Sequence, residues 1–220
     1  MSGASQRLDA VGGQIAHAAR LAGRESDSVT LIAVSKTHPA EAIEALIAAG
    51  QRDFGENRVQ EAQSKWPELR TRHSDIRLHL IGRLQSNKAE DAVALFDSIH
   101  SVDRPSLVGA LERAMAKTGR HPDCFIQVNI GDEAQKGGCP VADLPALLEQ
   151  ARALPVVGLM CIPPADVEPA PYFTLLAKLA RRHDVAGLSM GMSADYETAV
   201  MVGATHVRVG TALFGARPRP

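Results

Sequence analysis

Short β-branched and aliphatic runs recur along the chain at Val29 to Val34, near Asp53, and at Ile76 to Ile81, Asp97 to Val102, Cys124 to Ile130, Val156 to Met160, Val185 to Leu188 and Thr205 to Val209. Each has the length of a strand, so the pattern predicts about eight of them. Between them the apolar positions change to helical spacing: Ile43, Leu46 and Ile47; Val59, Ala62, Trp66 and Leu69; Leu107, Leu111 and Met115; Leu144, Leu147, Leu148 and Ala151. Phe173, Leu176, Leu179 and Ala180 share another face, as do Tyr196, Ala199 and Val200. Pro39 and Pro105 stand where helices begin, and Gly50 and Gly203 where they end. Ahead of the first strand, Leu8, Val11, Ile15, Ala18 and Ala22 lie on one face of a further helix.

Strands alternating with helices imply parallel pairing through right-handed crossovers. An open doubly wound sheet shows the same alternation, but a count near eight favours closure. The expected fold is therefore α/β, a single (β/α)8 TIM-type barrel over residues 1–220, with an extra N-terminal helix in 1–28 and the barrel in 29–218.

Composition narrows the function. Hydrophobic residues at 45% and charged residues at 22% are those of an ordinary globular chain, which disfavours disorder and coiled coils. A net charge of -1 leaves no basic excess for nucleic acid, and 4% aromatics argue against a base-stacking surface. No run approaches the roughly 18 apolar residues of a membrane span, and the Met-Ser-Gly-Ala-Ser start lacks the layout of a secretory signal, so the reading is cytoplasmic, with no membrane partner. Three scattered cysteines, without Cys-x-x-Cys or a close His pair, point to neither a disulfide frame nor a metal site.

Ile32, Val34 and Lys36 share one side of the first strand, so Lys36 points inward at the barrel end where active sites collect. A buried amine there can condense with an aldehyde; from the strand alone, a lysine snorkelling out of the barrel is an equal reading. In the last strand Arg208 shares its face with His206 and Gly210, and the Gly210-Thr211 turn opens a short helix suited to phosphate, or is simply where that helix starts. Ser189 and Ser193 flank Met190-Gly191-Met192 after the seventh run; Ser193 reads first as a helix cap. His79 and His206, placed in strands, read as satisfied barrel residues, Cys161 as an inert strand-end thiol, and Lys136 as a solvated loop lysine.

Several motifs occur together: Leu31-Ile32-Ala33-Val34-Ser35-Lys36-Thr37, Phe54-Gly55-Glu56-Asn57-Arg58-Val59-Gln60-Glu61, His79-Leu80-Ile81-Gly82, Gln85-Ser86-Asn87-Lys88, Leu188-Ser189-Met190-Gly191-Met192-Ser193 and Val207-Arg208-Val209-Gly210-Thr211. Over roughly residues 30 to 218 the chain resembles the pyridoxal 5'-phosphate homeostasis proteins, whose fold matches the N-terminal barrel of alanine racemase. The resemblance implies pyridoxal phosphate (PLP) held covalently on Lys36 as an internal aldimine, with Ser189, Gly210 and Thr211 on its phosphate and Arg208 facing the pyridine nitrogen. It sets Asn57 beside the ring, although a polar residue in a first helical turn explains Asn57 as well. The implied role is intracellular PLP homeostasis by a carrier without defined turnover, with PLP-dependent apo-enzymes as its partners.

The rival reading is an amino-acid racemase or related enzyme. A racemase needs two opposed bases, and Lys36 is the one in view: Tyr172 and Tyr196 are predicted on helices, and nothing after Pro220 supplies the second domain that lends alanine racemase its tyrosine. The same missing domain makes a monomer the expectation. Ala194, where the family often has an acidic residue, changes a surface charge only.

Overall fold

The computed structural model describes residues 3–215; the last stretch expected of the barrel, 216–218, lies outside them. Eight strands are found among the described residues: β1 (Thr30–Val34), β2 (Asp53–Glu56), β3 (Arg77–Leu80), β4 (Ser98–Val102), β5 (Asp123–Gln127), β6 (Val156–Met160), β7 (Gly187–Met192) and β8 (His206–Val209). Each pairs in parallel with the next, and β8 returns to β1 through Thr30↔His206 and Ile32↔Arg208, closing the barrel. Around it run α1 (Gly3–Leu21), α2 (Ala40–Ala48), α3 (Val59–Arg72), α4 (Ala89–Leu95), α5 (Pro105–Thr118), α6 (Leu144–Gln150), α7 (Ala170–Arg182), α8 (Tyr196–Met201) and α9 (Thr211–Phe214).

Three elements depart from the sequence pattern. β7 extends beyond Leu188 because pairing on both sides carries Ser189 to Met192, which have no β-branched residue to announce them. β5 stops at Gln127 rather than Ile130, since beyond the Val128 N–H bond to Met160 the chain turns to the Cys139 segment, whose carbonyl accepts from Asn129 N–H at 2.9 Å. α4 has only 7 residues, too few for a helical period to stand out.

The apolar faces pack between barrel and helices, where Phe54, Trp66, Leu69, Phe173 and Leu176 are fully buried. Each such side chain contributes about 1.5–3 kcal/mol relative to exposure. α1 lies in the outer ring against α8 and α9, burying Val11, Ile15 and Ala18. Arg24 Nη1 reinforces it by donating to the Val200 carbonyl at 2.9 Å. No helix among the described residues is long and apolar enough to cross a membrane.

The lumen is polar for a barrel of this kind, which usually fills with branched aliphatics. Strand alternation turns Asp53, His79, His100, Ser189, His206 and Arg208 inward, beside Phe125. Phe125 stacks on His100 with ring centroids 4.2 Å apart. Space for that layer comes from Gly187, where a Cβ would lie 2.9 Å from Phe125 Cε1 and 2.7 Å from the Val157 carbonyl.

Burial pushes the His100 imidazole well below its usual pKa, and the Arg208 cation acts in the same direction. Burial likewise lowers His206, to about 4. Both are neutral when folded and gain protons on unfolding, so stability is greatest above the unfolded value near 6.5 and declines as pH falls below it, for His206 down to about 4. Urea unfolding should show that decline between pH 7 and 4, with roughly 2–3 kcal/mol from His206 alone. His206→Asn should flatten it by about one proton, and an unchanged slope would contradict the assignment.

Candidate functional site

A cavity of about 360 Å³ opens at the C-terminal ends of the strands, in the size range of small-ligand sites. Val34, Ile81 and Ile162 form apolar wall, while Lys36, Asn57, Ser193, Arg208, Gly210 and Thr211 supply polar groups.

Lys36 sits in the turn after β1, beside Thr37, whose φ of 64° is in the left-handed region. For a β-branched residue that conformation costs on the order of 1–3 kcal/mol, so its surroundings must hold it. They do so from α3. Thr37 N–H donates to Glu61 Oε1 at 2.5 Å, and Lys65 Nζ donates to the Ser35 carbonyl at 3.1 Å while pairing with Glu56 at 2.8 Å and Glu61 at 2.9 Å. Glu56 Oε1 also accepts from Ser35 Oγ at 2.8 Å and Trp66 Nε1 at 3.0 Å. Burial raises the Glu61 pKa, but its bonds from Lys65 and Thr37 outweigh that and leave it lowered. Among the described residues, the Lys36 amine itself has neither an ion pair nor a hydrogen bond.

Asn57 continues the inward face of Asp53 and Gly55 and lies two residues before α3. Gly82 presses against it: a Cβ there would be 2.2 Å from the Asn57 carbonyl oxygen. Across the mouth, β7 carries two residues, Met190 and Gly191, against the single Val207 of β8 between the pairs Ser189↔His206 and Met192↔Arg208. Gly191, at φ 94°, makes that bulge possible, and a Cβ there would meet Ala199 Cβ at 2.6 Å. The bulge brings Ser193 to the cavity, where its Oγ accepts from Gly210 N–H at 3.3 Å. Ser193 is thus not the cap of α8; that position belongs to Asp195.

Ser189 is fully buried and does not line the cavity. Its Oγ lies 2.8 Å from His100 Nδ1 and accepts from Arg208 Nη1 at 2.7 Å. Arg208 Nη2 donates to the Cys161 carbonyl at 2.9 Å. Only 4% of Arg208 is exposed, and burial lowers its pKa from the usual 12.5. No carboxylate among the described residues forms an ion pair with it. In α9, the amides of Leu213 and Phe214 turn back to the Gly210 carbonyl, which leaves those of Thr211 and Ala212 outside the helical ladder. Phe214 stacks on His38 at 4.2 Å, joining this helix to the Lys36 turn.

The structure therefore brings Lys36, Asn57, Arg208, Gly210 and Thr211 around one cavity and puts Ser189 beneath its floor. Sequence reading undervalued Ser193 and overlooked His100, whose inward position follows from the alternation within β4. Lys136 is more constrained than a solvated loop lysine: it pairs with Glu133 at 2.6 Å and donates to the Pro163 carbonyl at 2.9 Å. Cys161 is buried, and its thiol is pushed up to about 12. Tyr172 and Tyr196 lie on α7 and α8, and neither lines the cavity.

Known proteins resemble this chain along nearly its whole length. The alanine racemase N-terminal domain profile matches residues 7–218. A pyridoxal phosphate homeostasis protein of Pseudomonas aeruginosa is 43% identical over 99% of this chain and 97% of its own length. The homologue of that name in Aquifex aeolicus is 41% identical over 97% and 98%. The chain belongs to this family. Among solved structures, PipY of Synechococcus elongatus with PLP bound superposes with a TM-score of 0.81 at 43% identity, covering 96% of this chain and all (100%) of that one. An alanine racemase of Clostridium difficile shares the fold alone, with a TM-score of 0.70 at 15% identity over 94% of this chain and 56% of the enzyme.

Removing the carboxylate that gathers Ser35, Lys65 and Trp66 should loosen the Lys36 turn. Glu56→Ala leaves the Lys65 ammonium half-paired and is expected to cost about 3–5 kcal/mol in urea unfolding. Glu56→Gln, which keeps an acceptor oxygen, should cost less than half of that.

Proposed function

We propose that this protein binds pyridoxal 5'-phosphate and acts in intracellular PLP homeostasis as a carrier of the cofactor. The observation that carries the reading is an unpartnered lysine amine sharing one cavity with a buried guanidinium that has no carboxylate among the described residues. A buried cation without a counter-ion favours a ligand bearing a lone pair or negative charge. The homeostasis proteins named above and PLP-bound PipY support the choice of ligand.

Bound PLP supplies an aldehyde that condenses with an amine, an anionic phosphate and a pyridine nitrogen. Lys36 offers the amine, and the covalent bond is assigned to its Nζ. Ser193 Oγ, the Thr211 hydroxyl and the amides of Thr211 and Ala212 hold the phosphate, with Gly210 leaving room for their approach. Ser189, which the resemblance set on the phosphate, has its hydroxyl committed to Arg208 and His100, so its part is to support the ring end. Arg208 donates towards the ring nitrogen and keeps it unprotonated, which suits retention of the cofactor over turnover. Asn57 borders the ring. The absence of both tyrosines from the cavity further supports the carrier reading over a two-base racemase. Transfer to PLP-dependent apo-enzymes by a monomeric, cytoplasmic protein completes the proposal.

Borohydride reduction of the PLP-saturated protein should trap the cofactor on Lys36 in peptide maps. A label confined to Lys65 or Lys136 would overturn the covalent assignment, and no binding at saturation would overturn the function. Thr211→Val should weaken binding roughly tenfold or more while trapping persists at saturating PLP. Lys36→Ala should abolish trapping yet keep measurable non-covalent affinity.

A further inference from the structure

Beneath the cavity an unbroken hydrogen-bonded chain crosses the lumen. Asp53 Oδ1 lies 2.9 Å from His79 Nε2, His79 Nδ1 lies 3.1 Å from His100 Nε2, and His100 Nδ1 lies 2.8 Å from Ser189 Oγ. Ser189 Oγ meets Arg208 Nη1 at 2.7 Å. Asp53 sits at the start of β2 and Arg208 lines the cavity, so four intervening contacts connect opposite ends of the barrel.

The two ends can each act in only one way. A guanidinium donates and a carboxylate accepts. Ser189 Oγ must accept from Arg208, which leaves its own proton for His100 Nδ1. His100, buried among His79, His206, Arg208 and Phe125, carries a single proton and therefore has it on Nε2, donating to His79 Nδ1. His79 then donates from Nε2 to Asp53, which Arg77 also faces at 3.9 Å. Starting from Asp53 gives the same order in reverse. Any other arrangement leaves the Ser189 proton without an acceptor in a buried site, at a cost comparable to a lost hydrogen bond.

We propose that His100 and His79 are positioning residues for Arg208: by occupying the Ser189 proton they present a fixed Ser189 lone pair to the guanidinium and hold it towards the cavity. The two imidazoles touch neither lysine nor cavity, so they act only through Ser189. This inference rests on PLP binding for its consequence, not for its geometry, and its test separates the two.

Nitrogen-15 spectra of the histidine rings in unliganded wild-type protein at pH 7.5 should show both His79 and His100 as neutral Nε2–H tautomers. An Nδ1–H form or an imidazolium at either position would overturn the chain. PLP titration supplies the second readout. His100→Leu, which leaves the Ser189 proton without an acceptor, should weaken binding by roughly tenfold, while His100→Asn, whose Oδ1 stands near the lost Nδ1, should stay within about threefold of wild type. Equal affinities for the two variants would overturn the positioning role. If His100→Leu fails to fold, Ser189→Ala against Ser189→Thr makes the same comparison, with the hydroxyl-bearing variant retaining the tighter binding. Wild-type protein that fails to bind PLP would sink the proposed function while leaving the tautomer result to stand or fall separately.

Discussion

A guanidinium buried in the lumen of a barrel, with no carboxylate in ion-pair contact among the described residues, is the constraint around which the site is organised. Taking that charge out of water costs several kcal/mol even after relaxation, and hydrogen bonds can return only part of it. Two are visible, to Ser189 Oγ and to the Cys161 carbonyl. Arg208 also lines the cavity, where, on the proposed reading, a ligand acceptor would complete its hydrogen bonds. A carboxylate in the lumen would have satisfied Arg208 outright and reduced its pull on a ligand, so the neutral partners preserve its availability. The carboxylate at the other end of the hydrogen-bonded chain, Asp53, is separated from Arg208 by two imidazoles and a hydroxyl.

The lysine that shares the cavity depends on a different device. Its turn carries an unfavourable Thr37 conformation, and the restraining bonds come from Glu61 and Lys65 of α3 and from Glu56 at the end of β2. Lys65 absorbs the local carboxylates, which leaves Lys36 without a counter-ion. An amine held in a strong ion pair is stabilised in its charged form and is a poor nucleophile. Lys65 is thus fixed in ion pairs while Lys36 has none among the described residues, and the division follows from which of them sits on α3 within reach of Glu56 and Glu61.

Much of this was legible in the sequence, for definite reasons. Strand alternation in a closed parallel barrel leaves little freedom, so Lys36 and Arg208 followed from period-2 counting, and the helical faces of α2, α3, α5 and α7 from their apolar spacing. Ser189 and Ser193 escaped because their difference is made by a bulge at Gly191, and a bulge depends on how β7 meets β8. His100 escaped for a related reason: in a strand rich in polar residues no local pattern distinguishes a lumen histidine from a surface one, and its partners Ser189 and His79 are 89 and 21 residues away. The anchoring of Thr37 by Glu61, across 24 residues, was equally out of reach of local spacing.

The arrangement also bears on why one barrel would hold a reactive cofactor without using it. Stabilising a carbanion next to an imine requires a ring that withdraws electrons, and a protonated pyridine nitrogen is the strongest means to that end. Arg208 can only donate, so protonation of a nitrogen beside it would bring two positive charges together in a dry site. In the proposed proton order every donor of the lumen chain points away from Arg208 and towards Asp53, so neither Ser189 nor His100 would have a proton to offer a ring nitrogen placed beside Arg208. On the proposed reading, the polarity of the lumen itself would favour retention, and an enzyme built on the same barrel would need a substrate-facing acid and base supplied from outside it.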